Sequence, residues 1–269
     1  MNTTQKLIEN ARKIVIKFGS STLTNQGSDE KAGTINTILM DEMAEQISAL
    51  VKNGKQIVIV SSGAQVAGLS TMDSWARKRD IHYRQALCAV GQVELMRAWA
   101  KAFWKSGLHI AQILLTQDDF GDPIRTLNIR NTLFTLVDER IIPIINENDS
   151  VSVEEIKIGD NDTLASQSAI LWSADLLILF SDIDGLYEKN PKEFPDAKIV
   201  PEVYDIAEVR KKITIGDPNS FGTGGIATKL VAAKRAYDYG IPVILAHGGK
   251  PRSLEALATG QQKGTAFLV

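Results

Sequence analysis

The chain contains 269 residues, of which 44% are hydrophobic and 23% are charged, and its formal net charge is −2. A chain of this length can bury one large core or two modest ones, and the composition is typical of a soluble globular protein. The charge balance gives no electrostatic footprint for a nucleic acid or for an anionic membrane. We therefore expect neither kind of partner.

Cysteine and histidine are scarce. The single cysteine, Cys88, rules out an internal disulfide, and its apolar helical surroundings predict a packed thiol rather than a nucleophile. The three histidines, at 82, 109 and 247, do not combine with it at the spacing of metal ligands. No signal-peptide pattern begins the chain, and no apolar run reaches membrane-spanning length. These features predict a cytoplasmic enzyme.

Apolar, β-branched segments alternate along the chain with segments of helical periodicity. The predicted strands are 14–17, 56–60, 109–114, 142–145, 176–180, 243–246 and 265–269. The predicted helices are 35–52, 83–105, 125–139, 163–172 and 226–239, and three of them end at a glycine, at 54, 107 and 240. Residues 24–34 and 188–198 are predicted as polar loops. The alternation predicts an α/β fold: a three-layer αβα sandwich with a mostly parallel central sheet, in one domain over residues 1–269.

Lys17 lies where the first predicted strand ends. The run KIVIK at 13–17 is rich in β-branched residues, which suits a central parallel strand, and a Gly-Ser turn follows it. Ligands of open α/β sheets bind just beyond the carboxyl ends of the strands, so Lys17 is a candidate for ligand binding. The alternative is that Lys17 only marks the point where the strand leaves the core.

A glycine-rich turn precedes the helix predicted at 226–239. The segment GTGGIATK occupies residues 222–229 and places Lys229 one turn into that helix. Glycines allow backbone N–H groups to approach a ligand, and the start of a helix carries partial positive charge, so the segment suits an anion such as phosphate. The alternative is a loop and helix cap with a solvated lysine.

Carboxylates and amides occur in two further bursts, INENDS at 145–150 and KIGDNDT at 157–163. The second opens a predicted helix, where Asp and Asn are common capping residues. Capping needs one such residue, whereas these segments hold several, so we expect some of them to bind an amine or orient a lysine. The spacing matches no EF-hand loop, and no metal ligand is assigned.

Small or acidic residues also follow two other strands, in SSGA at 61–64 and SDIDGLY at 181–187. The sequence has no GxxxxGK[ST] loop, no GxGxxG after a strand and no catalytic loop of the protein-kinase type. A nucleotide-binding enzyme with this sequence would therefore hold phosphate with glycine turns and two lysines.

Together these segments resemble the amino acid kinase family, in family order and over nearly the whole chain. The matching segments are KFGSS at 17–21, SSGA at 61–64, INEND at 145–149, GDND at 159–162, SD with GLY at 181–187, and GTGG through Lys229. Within the family, the INEND and GDND pair is specific to members that phosphorylate L-glutamate. The resemblance implies ATP-dependent phosphorylation of the glutamate side-chain carboxylate, the first step of proline biosynthesis, with ATP and Mg²⁺ as cofactors.

The resemblance also assigns roles to individual residues. Lys17 and Lys229 would contact the phosphoryl group, and Asp162 would hold the two lysines. The glutamate subsite would consist of Ser62, Gly63, Asp149 and Asn161. The residues implied for ATP are Lys17, Gly19, Ser20, Ser181, Asp182, Thr223, Gly224, Gly225, Ile226, Ala227, Thr228 and Lys229. The amino-terminal half would thus bind the amino acid and the carboxyl-terminal half the nucleotide.

Regulation and assembly follow from the same resemblance. It implies inhibition by L-proline and a homo-oligomer. Many bacterial relatives carry an appended PUA domain, and we expect this chain, which ends with its last strand, to lack one. Two alternatives stay open: a family member with another acceptor, such as N-acetylglutamate, and a non-catalytic amino-acid sensor.

Overall fold

The protein is built on alternating strands and helices. A computed structural model describes residues 1–25, 33–72, 80–152, 161–189, 191, 193–212 and 225–269. The strands are β1 (Lys13–Phe18), β2 (Thr24–Asn25), β3 (Thr34–Ile35), β4 (Gln56–Ser61), β5 (Ile110–Leu115), β6 (Ile142–Glu147), β7 (Leu176–Ser181), β8 (Glu202–Val203), β9 (Val243–His247) and β10 (Thr265–Phe267). The helices are α1 (Thr3–Asn10), α2 (Ser20–Leu23), α3 (Thr37–Lys52), α4 (Ala64–Thr71), α5 (Ile81–Trp104), α6 (Pro123–Asp138), α7 (Asp162–Trp172), α8 (Ile206–Lys212), α9 (Gly225–Asp238) and α10 (Ser253–Thr259).

The described residues contribute eight strands to the main sheet, in the order β5-β6-β4-β1-β7-β9-β10-β8. Central β1 pairs in parallel with β4 on one side and with β7 on the other. Within this sheet only the β9–β10 pairing is antiparallel. The predicted α/β fold with a mostly parallel sheet is confirmed. Because the chain runs outward from β1 in both directions, the ligand-binding edge of such a sheet lies beyond the carboxyl ends of β1, β4 and β7.

Each strand sends alternate side chains to the two faces of the sheet. Along β1, Ile14, Ile16 and Phe18 join one buried cluster with apolar residues of α3 and α5. Val15 joins a second cluster, on the opposite face, with residues of α7 and α9. Lys17 follows Val15 by two residues and therefore lies on the α7 and α9 face. In the described ranges no helix is long and apolar enough to cross a membrane.

The predicted strands and long helices agree with the observed ones to within about two residues at most of their ends, and the three glycines that end helices have positive φ angles. The short elements α1, α2, α4, α8, α10 and β8 were not predicted, because each is too short to show a clear period. The loop prediction for 24–34 is wrong at its two ends, where β2 and β3 pair antiparallel. Its middle lies outside the described residues.

Helices α4 and α5 pack with their backbones in contact. A Cβ atom on Gly91 would lie 1.8 Å from the carbonyl oxygen of Ala64, and one on Gly68 would lie 2.0 Å from that of Leu87. A side chain at either position would force the helices apart. The two glycines therefore hold the start of α4, which directly follows Ser62 and Gly63, against α5.

Candidate functional site

The carboxyl ends of β1, β4, β6 and β7 carry polar side chains that the protein buries. Lys17, Ser61, Asn146 and Ser181 are the examples from these four strands, and each is at most 4% exposed. Buried polar groups cost free energy unless they are bonded, so a concentration of them at one edge indicates a site rather than packing. Two groups of residues can be distinguished at this edge, one around Asp162 and one around Asp149.

Asp162 joins the two candidate lysines. Its Oδ1 atom lies 2.6 Å from Lys17 Nζ, and its Oδ2 atom lies 3.0 Å from Lys229 Nζ. The Asp162 side chain is fully buried, and those of Lys17 and Lys229 are 3% and 10% exposed. The Thr228 hydroxyl donates a further hydrogen bond to Oδ2 at 3.2 Å. We call Lys17, Asp162 and Lys229 the triad.

The fold explains why the triad forms. Lys17 lies on the face of the sheet that α7 and α9 cover, Asp162 is the first residue of α7, and Lys229 lies in the first turns of α9. The amino end of α7 also favours a carboxylate through the helix dipole. Two ammonium groups share one carboxylate, so the three residues together carry excess positive charge in a place of low solvent exposure. Such a centre favours an anion with several oxygen atoms.

A cluster of amides lies beside the triad. Asn161 directly precedes Asp162, and its Nδ2 atom donates to Asn146 Oδ1 at 2.7 Å and to the Ser61 carbonyl at 3.5 Å. Asn146 Nδ2 donates to Gln92 Oε1 of helix α5 at 2.8 Å. We call Gln92, Asn146 and Asn161 the amide relay. It links the end of β6 and the start of α7 to α5.

Asp149, just after β6, is the buried acid of the second group. Burial raises its pKa to about 6, although a hydrogen bond from the Cys88 thiol and the positive charge of Arg84 act in the opposite direction. Gln85 Nε2 donates to the Asp149 backbone carbonyl at 2.9 Å. The Oδ1 atom is buried and accepts no hydrogen bond within the described part of the chain. It therefore suits a cationic ligand.

Ser62 and Gly63 form the turn between β4 and α4. The Ser62 N–H donates to the Phe18 carbonyl at 3.0 Å, while its hydroxyl is buried and has no partner among the residues described. Gly63 has φ of 106°, a left-handed conformation that strongly favours glycine. The turn thus places an unused hydroxyl beside the carboxyl end of β1.

The residues predicted for ATP lie at the ends of β1 and β7 and at the start of α9. Ser20 is half-buried at the start of α2, and Ser181 donates to the exposed Asp182 at 3.0 Å. Residues 225–229 form the first turns of α9. Thr223 and Gly224 lie outside the described residues, as do 157–160. Gly248, just after β9, was not predicted from the sequence. A Cβ atom at this position would lie 2.6 Å from the Cβ atom of Phe180 on β7, so a larger residue would not fit.

Helix α5 supplies the other residues that sequence reasoning missed. Cys88 is buried as predicted, but its thiol also contacts Asp149. Gln92 belongs to the amide relay, and Trp99 donates through Nε1 to Ser61 Oγ at 3.0 Å. Residues 88, 92 and 99 share one helix face. Polar atoms on this otherwise apolar face were the feature of the sequence that could have indicated a contribution of α5 to the site.

The fold and this edge define a class: α/β proteins with buried lysines and an aspartate at the carboxyl ends of a mostly parallel sheet. Two solved structures share the fold, an isopentenyl phosphate kinase (TM-score 0.63, 16% identity, 95% of this chain and 99% of that one) and the UMP kinase of Ureaplasma parvum (TM-score 0.64, 15% identity, 96% and 99%). The family description "Amino acid kinase family" matches residues 12–247. The chain belongs to the amino acid kinase family.

Curated relatives agree over almost the full length. The chain is 60% identical to a protein named glutamate 5-kinase from Alkaliphilus metalliredigens and 54% identical to one from Alkaliphilus oremlandii, with 98% of each chain covered in both pairs. A protein of the same name from Geobacter sulfurreducens is 42% identical over 97% of this chain and 69% of its own length.

Proposed function

We propose that the protein transfers the γ-phosphoryl group of ATP to the side-chain carboxylate of L-glutamate, giving L-glutamyl 5-phosphate and ADP, as the first step of proline biosynthesis. The observation that carries the proposal is the adjacency of two subsites through consecutive residues. Asn161 belongs to the amide relay and Asp162 belongs to the triad, so the subsite that we propose for the amino acid directly adjoins a cationic centre. The names of the curated relatives support the same activity.

The amino-acid end of the substrate would bind at the Asp149 side. The buried carboxylate of Asp149 suits the α-ammonium group of glutamate, and its Oδ1 atom, which accepts from none of the described residues, is an available acceptor. The Ser62 hydroxyl, which no described residue bonds, and the start of α4 lie beside the end of β1, where a carboxylate of the substrate would find donors. An N-acylated amine carries no charge and would lose the attraction to Asp149.

The triad would act on the phosphoryl group during transfer. Phosphoryl transfer depends mainly on position and on neutralisation of the charge on the transferring oxygens. Lys17 and Lys229 provide that charge. The carboxylate of Asp162 lies within hydrogen-bonding distance of both ammonium groups and so holds them in place. The attacking group is a carboxylate, which is ionised at neutral pH, so the reaction needs no general base.

ATP would lie along the ends of β1 and β7 and the start of α9, against Gly19, Ser20, Ser181, Asp182 and residues 223–229. The described residues hold no group of three or more His, Cys, Asp or Glu side chains suited to a metal. Mg²⁺ would be bound chiefly by the phosphates of ATP, as is common for this ion, and Asp182, an exposed carboxylate directly after β7, would be available to it. When bound, Mg²⁺ supplies further neutralisation of phosphate charge.

A coupled assay of ADP release tests the proposal. With MgATP present, L-glutamate should start turnover, whereas N-acetylglutamate, L-aspartate and UMP should give far less. Hydroxylamine should trap the acyl phosphate as a hydroxamate. Preference for N-acetylglutamate or UMP would reject the glutamate assignment, and absence of ADP release with every acceptor would favour a sensor.

L-Proline is the inhibitor that this subsite would accept. It carries an ammonium and an α-carboxylate but no side-chain carboxylate, so it can occupy the Asp149 end without accepting phosphate. Glutamate saturation curves at several proline concentrations should show a rising apparent KM at constant kcat. A fall in kcat at constant KM would instead indicate a separate site.

The homo-oligomer, the cytoplasmic location and the division of one domain into amino-acid and nucleotide halves stay predictions.

A further inference from the structure

A backbone contact shows which atom of each asparagine amide in the relay is the oxygen. The Glu147 N–H donates to Asn146 at 2.9 Å, and because a backbone N–H is always a donor, the atom that it meets must be the oxygen Oδ1. The Asn161 atom 2.7 Å from the same oxygen must then be the nitrogen Nδ2. This peptide group of β6 therefore identifies the oxygen of Asn146 and the nitrogen of Asn161.

Counting donors shows what Asn161 can offer to a ligand. An amide nitrogen has two hydrogens, and those of Asn161 are directed to Asn146 Oδ1 and to the Ser61 carbonyl. The remaining group is its oxygen, Oδ1, which only accepts. Asn161 therefore offers an acceptor, like the carboxylate of Asp149. Two acceptors match an ammonium group, which is a donor only.

Gln92 of helix α5 binds the other end of the Asn146 amide, its nitrogen. Alternation along β6 places Ile142, Ile144 and Asn146 on the face that α5 covers. Gln92 lies there at 8% exposure, and its Oε1 atom accepts from Asn146 Nδ2 at 2.8 Å. Without that oxygen the buried Nδ2 atom of Asn146 would lose its partner, and the amide would gain freedom to rotate.

We propose that Gln92 is a positioning residue for the amino-acid substrate: by holding Asn146, it makes Asn161 present an oxygen, which selects a free α-ammonium group over an N-acylated one. Gln92 itself acts through Asn146 and need not touch the substrate. This inference rests on the proposed function, since it assumes that glutamate is the acceptor.

Gln92→Met tests the inference, because methionine keeps the length and approximate volume but has no acceptor oxygen. We expect the KM for glutamate to rise about tenfold, the size of one lost hydrogen bond in a buried site. The kcat and the KM for ATP should stay within about twofold, because the triad is intact. The ratio of kcat/KM for glutamate to that for N-acetylglutamate should fall by a similar factor.

Two further variants separate this role from packing. Gln92→Glu keeps an acceptor oxygen at the same position and should restore most of the glutamate KM. Gln46→Met is the matched control, since Gln46 is a buried glutamine at 4% exposure on α3, bonded to the Glu42 carbonyl and the Glu255 N–H. It should lower the melting temperature without changing the glutamate KM. Gln92→Leu repeats the test if the methionine variant does not fold.

The outcomes are distinguishable. Failure of the wild-type protein to use glutamate would reject the proposed function itself. With an active wild type, an unchanged glutamate KM in Gln92→Met would overturn the inference alone. It would also be overturned if Gln92→Glu were as impaired as Gln92→Met, or if Gln46→Met raised KM equally.

Discussion

Strand β1 carries a lysine at each end, and the two lysines have different surroundings. At the amino end, Lys13 Nζ donates to the backbone carbonyls of Trp172 and Ser173 at 3.0 and 3.1 Å. At the carboxyl end, Lys17 meets the fully buried carboxylate of Asp162. The first lysine completes the hydrogen bonds of a helix end, which stabilises the fold. The second forms a costly buried ion pair, which is weak support for stability and a stronger sign of function.

The same difference holds for the acids at the two edges. Asp175, at the amino edge, accepts hydrogen bonds from the N–H groups of Arg12 and Lys13 at 2.9 and 2.7 Å. Asp149, at the carboxyl edge, is buried with an oxygen that no described residue bonds. Charges at the amino edge thus bind backbone groups, whereas at the carboxyl edge Lys17 meets another buried charge and Asp149 keeps an oxygen that no described residue bonds.

The largest expected difference between the edges is in kcat. Lys17→Met and Lys229→Met should each lower kcat by roughly 10²–10³, because each removes a charge that acts on the transferring phosphoryl group. Lys13→Met, on the same strand, should leave kcat within about twofold. Steady-state kinetics with MgATP and glutamate measure both. Equal losses for Lys13 and Lys17 would remove the distinction between the two edges.

Asp149→Asn should act on substrate binding instead of the chemical step. Loss of the charged partner of the ammonium group should raise the glutamate KM by about 10 to 100 fold, with little change in kcat. Inhibition by proline should weaken in parallel, because the same carboxylate would bind both amines. A variant that lost glutamate affinity but kept full proline inhibition would show that the two ligands bind apart.

The same substitution should stabilise the unliganded protein in a pH-dependent way. The pKa of Asp149 is raised from 3.8 to about 6, so the folded state favours the protonated acid. The resulting loss of stability is absent below about pH 4, grows between about pH 4 and pH 6, and stays constant at roughly 3 kcal/mol above that range. Asp149→Asn should therefore exceed wild type in melting temperature at pH 8 and match it at pH 4. Equal melting temperatures at pH 8 would contradict the raised pKa.

Asp175→Ala gives the smallest effect, and on stability alone. It removes two hydrogen bonds to the start of β1 and should cost about 1–2 kcal/mol of unfolding free energy. Denaturant titration measures this loss, and kcat and both KM values should be unchanged. A large fall in kcat would mean that the amino edge also takes part in the reaction.

Local patterns in the sequence predicted the strands and the long helices and marked Lys17 and Lys229 as candidates, whereas the role of Asp162 in holding the two lysines was implied by the family resemblance. Lys17 ends an apolar run and Asp162 opens a helical one, so both fall at strand or helix ends where ligands bind. The contributions of Gln92 and Trp99 could not be predicted in this way. Each lies on an apolar helix face typical of core packing, and its partner belongs to a different strand whose position in the sheet is fixed only by the fold.

Asn161 and Asp162 are consecutive residues, and this has a consequence for the length of the acceptor. In the proposed function, the amide of Asn161 would belong to the subsite for the amino-acid end, and Asp162 bonds the lysines that would hold the phosphoryl group. One peptide bond therefore sets the spacing between the two, and α7 cannot lengthen or shorten it. A substrate fits only if its ammonium and its reactive carboxylate are separated to match. Aspartate is one methylene shorter, and its carboxylate would stop short of the phosphoryl group however well its ammonium was bound.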